Sequence, residues 1–257
     1  GQVAVIDPGP DDEAHIDAIL NALDGEEVSH ILVTHTHMDH SPGCRLLQAK
    51  TGAPTYAYGP HGAGKMEQGV QVEEGGDMDF DPDHLVKHGD IIRGKDWTVE
   101  CVYTPGHTSN HLCFALQEQK ALFTGDHVMG WSTSIISPPD GDMAAYMDSL
   151  QLLLDRDDEV YWPTHGPSII DPKTHVQAYI DHRLDRERQI IECIKQGTHH
   201  IREMVPLMYK DTPEFMYPAA ARSVLAAMEN LVRNQQVRVG GEGDGTSMGM
   251  DSAYHLA

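Results

Sequence analysis

The chain has 257 residues, 40% of them hydrophobic, with 40 acidic against 18 basic side chains and a net charge of −22. That apolar fraction supports a sizeable core and excludes a disordered chain, while no apolar run reaches the roughly 18 residues of a membrane-spanning helix. Four scattered cysteines (Cys44, Cys101, Cys113, Cys193) read as buried thiols of a reducing, cytoplasmic setting rather than a disulfide framework or a thiolate metal site.

In chain order, Val3–Asp7 reads as a buried strand stopped by Pro8-Gly9-Pro10. A helix carrying Ile16, Ile19, Leu20 and Leu23 follows an acidic start at residues 11–13. A second strand, Ile31-Leu32-Val33, runs into the cluster Thr34-His35-Thr36-His37-Met38-Asp39-His40. A helix over Arg45 to Lys50 ends at Gly52 and Pro54, and residues 58–90 read as a long loop or flap, the kind of segment that serves function.

Thr98–Tyr103, Leu112–Leu116 and Ala121–Phe123 are strand-like, the first ending beside Thr104-Pro105-Gly106-His107 and the third beside Thr124-Gly125-Asp126-His127. A helix then carries Met143, Met147, Leu150 and Leu154 on one face, with Asp140 or Asp142 as N-cap. The strand Glu159–Trp162 ends at Pro163-Thr164-His165-Gly166. Each polar cluster thus sits at a strand end, where folds of alternating strands and helices place their chemistry.

Texture and charge both change near residue 172. Residues 1–172 carry a net −21, whereas residues 173–240 carry +2. The second region holds three amphipathic helices (Val176 to Ile194, Ile201 to Met208, Ala221 to Val232) and a hairpin from Val237–Val239 and Ala253–Leu256, which together make a winged-helix pattern. The boundary expected from this is a catalytic domain over 1–172 and a winged-helix-like domain over 173–257.

Three imidazoles and a carboxylate fall within six residues at His35-x-His37-x-Asp39-His40. On extended backbone His35 and His37 point the same way, and the following turn swings Asp39 and His40 to a neighbouring position. Neutral imidazole and carboxylate are ligand types that zinc accepts, and two pairs this close suit two ions roughly 3.5–4 Å apart.

This string, followed in order by Pro-Gly-His107, Thr-Gly-Asp126 and Thr-His165-Gly-Pro, resembles the metallo-β-lactamase superfamily. The last 80 or so residues resemble the winged-helix appendage of its beta-lactamase-like protein 2 group. The resemblance implies an α+β fold, an αββα sandwich with metals at one edge plus a small C-terminal winged helix. It implies that His35, His37 and His107 hold one metal, that Asp39, His40 and His165 hold the second, and that Asp126 bridges them, as in the glyoxalase II and lactonase branches. The family normally has a pair of strands before the segment matching Val3–Asp7, so the sheet edge there needs a cover. Its true β-lactamases usually carry Cys or Ser where Asp126 stands, so β-lactam hydrolysis is expected as a side activity at most.

The implied activity is a metal-dependent hydrolase with two Zn2+ ions (Mn2+ or Fe2+ as alternatives) and a metal-bridging hydroxide acting on a small ester, thioester, lactone or amide. Asp126 and Asp39 are its expected catalytic carboxylates, and His127 and His111 are expected to support ligands from behind. A single-strand RNA endoribonuclease with the same site is the alternative. The acidic body disfavours nucleic acid, and Arg183, Arg186 and Arg188 are a thin basic patch. A mononuclear iron oxygenase conflicts with the complete second ligand set. A DNA-binding regulator with a relic metal domain would have only Arg222 and Arg233 on its recognition helix. The winged helix is expected to act as a packing lid or homodimer contact, and no membrane partner is expected.

Overall fold

A computed structural model describes residues 1–63, 75–240 and 248–257. Its first sheet is parallel, in the order β1 (Gln2–Ile6), β2 (Glu27–Leu32), β3 (Thr55–Ala57) and β4 (His84–Leu85). Helices α1 (Glu13–Ala22) and α2 (Gly43–Thr51) connect its strands. The second sheet takes β5 (Ile91–Arg93), β6 (Thr98–Tyr103), β7 (Leu112–Leu116), β8 (Ala121–Gly125) and β9 (Val160–Pro163) in chain order. It is antiparallel except for the β8–β9 pair, which α3 (Met143–Leu154) joins as a crossover.

The period-two rule explains the layers. On β7, Leu112 and Phe114 face the other sheet together with Leu32, Val99 and Cys101, whereas Cys113 and Ala115 face outward onto Tyr146 and Leu150 of α3. On the first sheet, Val28 and Ile31 pack with Ile16 of α1 and Leu47 of α2. Helices therefore cover both outer faces, giving the αββα sandwich. Asp142 caps α3 by accepting the N–H groups of Ala144 and Ala145 at 2.9 and 3.1 Å. Asp140 does a different job, accepting from the backbone N–H and hydroxyl of Ser109.

Of the long segment 58–90, residues 64–74 lie outside the described residues, and the described part is only partly a loop. His84–Leu85 pairs in parallel with Tyr56–Ala57, and Phe80 and Val86 are buried on either side of it. Helix α4 (Pro172–Lys195) then serves two cores. Val176 and Tyr179 pack with α3, while Ile190, Cys193 and Ile194 pack with α5 (Ile201–Met208) and α6 (Tyr217–Arg233). The hairpin of β10 (Val237–Val239) and β11 (Tyr254–Leu256) closes that second core with Val237 and Tyr254, completing three helices and a wing. Among the described residues no helix is long and apolar enough to cross a membrane. All four cysteines are free and buried.

Candidate metal centre

The polar clusters converge because each follows a strand end. Asp7 comes directly after β1, and its N–H donates to Leu32 O at 2.9 Å. Thr34–His40 follow β2, His107 follows β6, Asp126 follows β8 and His165 follows β9. The Leu112 N–H donates to Thr34 O at 2.7 Å, which ties the first loop to the second sheet. Gly125, at φ +50, permits the close approach: a Cβ there would lie 2.7 Å from both His111 Nε2 and Thr34 Oγ1.

Two groups of ligand atoms result. His37 Nδ1 lies 3.0 Å from His35 Nε2 and 3.1 Å from His107 Nε2. Four bonds of about 2.0–2.1 Å to a tetrahedral zinc place ligand atoms roughly 3.3 Å apart, so three nitrogens at this spacing suit one ion. In the second group, His40 Nε2 is 3.5 Å from Asp39 Oδ1, and His165 Nε2 is 3.3 Å from Asp39 Oδ2. Asp126 stands between the groups. Its Oδ2 is 3.7 Å from His107 Nε2, and its Oδ1 is 3.6 and 3.5 Å from the Nε2 atoms of His40 and His165. All seven residues named from the sequence meet here. His35–His37–His107 and Asp39–His40–His165 are each grouped closely enough to hold an ion.

The backs of the rings show which nitrogen faces inward. The Thr34 hydroxyl donates its one hydrogen to Asp7 Oδ2 at 2.6 Å, so at 3.0 Å it accepts from His35 Nδ1–H. His107 Nδ1–H donates to the Ile135 carbonyl at 2.6 Å, and His40 Nδ1–H donates to Asp7 Oδ2 at 3.0 Å. Each of these rings therefore turns Nε2 to the centre, the nitrogen a ligand would use. His40 Nε2 and Asp126 Oδ1 are buried without a hydrogen-bond partner among the described residues, an arrangement that costs stability unless something binds between them.

Electrostatics agree with that geometry. Burial pushes His35 well below its ordinary pKa and His107 down to about 4, so both are neutral imidazoles at pH 7. Burial acts in the same direction on His40, but the carboxylates of Asp126 and Asp7 overcome it and raise His40 to about 10. In the metal-free protein a proton therefore occupies the place between carboxylates that a cation would take. Burial disfavours the Asp126 carboxylate, yet the neighbouring His40, His107 and His165 outweigh it and lower its pKa.

Asp7 and Thr34 are the functional residues that motif reading missed. Asp7 sits at φ +49 with a side chain only 3% exposed, and it accepts from Thr34 N at 2.7 Å as well as from His40. The signal was an acid at the end of an apolar strand that the structure leaves half-buried, just before Pro-Gly. His111 Nε2 accepts the Asp126 N–H at 3.3 Å. His127 corrects the expectation. Its ring packs 4.6 Å from Tyr146, and neither ring nitrogen has a hydrogen-bond partner among the described residues. Its backbone takes part instead: the N–H donates to Thr124 O at 3.1 Å, and the carbonyl accepts from Tyr146 Oη at 2.9 Å and lies 3.0 Å from Ser134 Oγ.

Trp131, 69% exposed, lies parallel to His165 with ring centroids 5.7 Å apart. His61, within the segment expected to be a loop, is 8% exposed and bonded to Thr36 Oγ1 at 2.8 Å. The arginines also differ from their sequence reading. Arg183 is buried and donates to Ser134 O, and Arg186 lies over the Tyr209 ring while donating to Met208 O. Arg188 pairs with Asp185 at 3.0 Å, and Arg233 is bidentate to Asp142.

Residues 1–165 match the metallo-beta-lactamase superfamily, and residues 201–245 match the beta-lactamase associated winged helix domain. The chain belongs to the metallo-beta-lactamase superfamily. Within it, a Beta-lactamase-like protein 2 homolog of Drosophila melanogaster is 30% identical over 251 residues, covering 93% of this chain and 82% of that protein. An Atrochrysone carboxyl ACP thioesterase of Aspergillus chevalieri is 28% identical over 220 residues, covering 82% of this chain and 65% of that protein. A crystal structure of a metallo-beta-lactamase family protein from Thermus thermophilus has the same fold, with a TM-score of 0.78 at 19% identity over all of this chain and 91% of that one. The chain is thus a metal-dependent hydrolase of the superfamily, with a winged helix at its C-terminal side.

Proposed function

We propose that this superfamily hydrolase holds two divalent ions, zinc by preference, and cleaves a small thioester, ester, lactone or amide. The observation that carries the reading is the division of Asp126, with one oxygen toward His107 and the other toward His40 and His165. His35, His37 and His107 would hold the first ion, Asp39, His40 and His165 the second, and Asp126 both. Ions held there supply Lewis-acid polarisation and an activated water near neutral pH. The two carboxylates divide the remaining work by exposure. Asp126, with a side chain 12% exposed, balances charge inside the site, whereas Asp39, at 59%, faces solvent and can take up the proton of the attacking water.

The thioester stands first among substrates because a relative bears that activity in its name. Imidazole and carboxylate donors also accept manganese and iron, which stand as the alternatives to zinc. Cleavage of RNA draws no support from Arg183 and Arg186, both turned inward, and binding of DNA draws none from Arg233, which is paired with Asp142. A mononuclear oxygenase fits poorly with a complete second ligand set.

The test is metal analysis of the purified protein, followed by one screen of acyl thioesters, lactones, nitrocefin and labelled single-stranded RNA. Two equivalents of metal with thioester or lactone turnover are expected. One equivalent, or RNA cleavage with no acyl hydrolysis, would overturn the proposal.

A further inference from the structure

Three residues one helical turn apart on α4 reach the same loop of the catalytic body. His175 Nε2–H donates to Met129 O at 3.1 Å. The Tyr179 hydroxyl is shared between Met129 O, at 2.5 Å, and Ser132 O. Arg183, 6% exposed, donates to Ser134 O, and its guanidinium lies 5.2 Å from the centroid of the Tyr146 ring. The spacing i, i+4, i+8 makes this a donor stripe aimed at the successive carbonyls of residues 129, 132 and 134.

That loop touches the centre at four points. Ser134 Oγ donates to Asp126 O, Ile135 O accepts from His107 Nδ1, Gly130 N–H donates to His165 O at 2.8 Å, and Trp131 stacks on the His165 ring. His107, Asp126 and His165 are thereby oriented through one segment, and they come from both ligand groups. Buried carbonyls need partners, and here the partners come from the helix that also forms the core of the winged helix.

We propose that His175, Tyr179 and Arg183 are positioning residues that set the metal affinity of the centre, and that α4 is how the winged-helix region contributes to the hydrolase. This rests on the reading of the cluster as a dinuclear metal centre. No stripe residue touches the ligands, so each acts through loop 129–135.

The experiment compares Tyr179→Phe, Arg183→Met and Arg183→Lys with Ile180→Ala, a packing change on the same helix that removes no hydrogen bond. Zinc affinity is measured by competition with a chromophoric chelator, melting temperature by circular dichroism, and amide exchange of residues 129–136 in the metal-free protein. Tyr179→Phe is expected to weaken zinc binding about 10-fold and Arg183→Met between about 10- and 100-fold, the range for partners that orient metal ligands. Arg183→Lys restores part of the loss, and both weakened variants exchange faster in the loop. Ile180→Ala lowers the melting temperature without either change. If Tyr179→Phe and Arg183→Met bind zinc like the parent and exchange like Ile180→Ala, the stripe is only a strut and the inference falls. A parent protein that binds no metal sinks the dinuclear reading instead, and the exchange contrast still decides whether the stripe orders the loop.

Discussion

Asp7→Asn changes one atom behind the centre and leaves every ligand in place. Asn tolerates the positive φ of position 7, so the backbone has no reason to move. The carboxylate accepts from Thr34 N on one oxygen, and from Thr34 Oγ1 and His40 Nδ1 on the other. A backbone N–H cannot reverse its polarity, so the Asn carbonyl stays on Thr34 N and its NH2 faces His40 Nδ1. Two donors then oppose each other unless the imidazole moves its proton to Nε2, the atom aimed at Asp39 and Asp126. The ring becomes a donor where a lone pair is needed. A charge-assisted hydrogen bond of this kind is worth about 1.5–3 kcal/mol, which corresponds to a loss of roughly 10- to 100-fold in metal affinity. The loss is expected at the proposed second site, because His40 is the proposed ligand that bonds directly to Asp7. Chelator competition should resolve one equivalent at parental affinity and one weakened, with turnover falling in parallel. Two equivalents of unchanged affinity would falsify the tautomer argument.

Asp126→Ala is expected to abolish stable binding of both equivalents and nearly all hydrolysis, as metal analysis after dialysis and a thioester assay would show; full metal content with parental turnover sinks its bridging role. Gly166→Ala forces a Cβ within 2.9 Å of the Gly130 backbone and Trp131 N at φ +98, so the loops carrying His165 and Trp131 separate. Weaker binding of one metal equivalent with a red-shifted Trp131 emission is expected, and unchanged values refute the contact's importance. The metal-free protein should lose stability as pH falls below about 6.5, the ordinary histidine value, because folded His107 and His127 titrate at about 4 and 3, and His35 and His111 also lie well below it. In that window the unfolded chain binds more protons than the folded one. His40 acts oppositely: its stabilisation is full below pH 6.5 and is lost as pH rises toward about 10. Urea midpoints that stay constant from pH 7.5 to 5 would contradict this.

How much of this was legible depended on the range of each interaction. Strands such as Leu112–Leu116 and the histidine run His35–His40 are local patterns, one of alternation and one of contiguity; the first forms β7 and the second lies in the clusters that could hold a metal ion. Strand β4 escaped because His84–Leu85 is two exposed residues with no alternation to read, held only by pairing with Tyr56–Ala57. Asp7 escaped because its partner His40 lies 33 residues away. The arginines of α4 are a sharper case. In sequence Arg183 and Arg186 read as part of a thin basic patch, and only packing reveals that they meet Ser134, Tyr146 and Tyr209. His127 beside Asp126 shows the reverse, with proximity in sequence and no bond between the side chains.

The parallel stack of Trp131 on His165 gives the molecule a built-in optical reporter. An indole 69% exposed and 9° from parallel with the ring of His165, a proposed ligand, should change emission if that ring gains a metal. With Trp97 and Trp162 replaced by Phe, filling of the second site could be followed by fluorescence alone, separately from the three histidines that would hold the first ion.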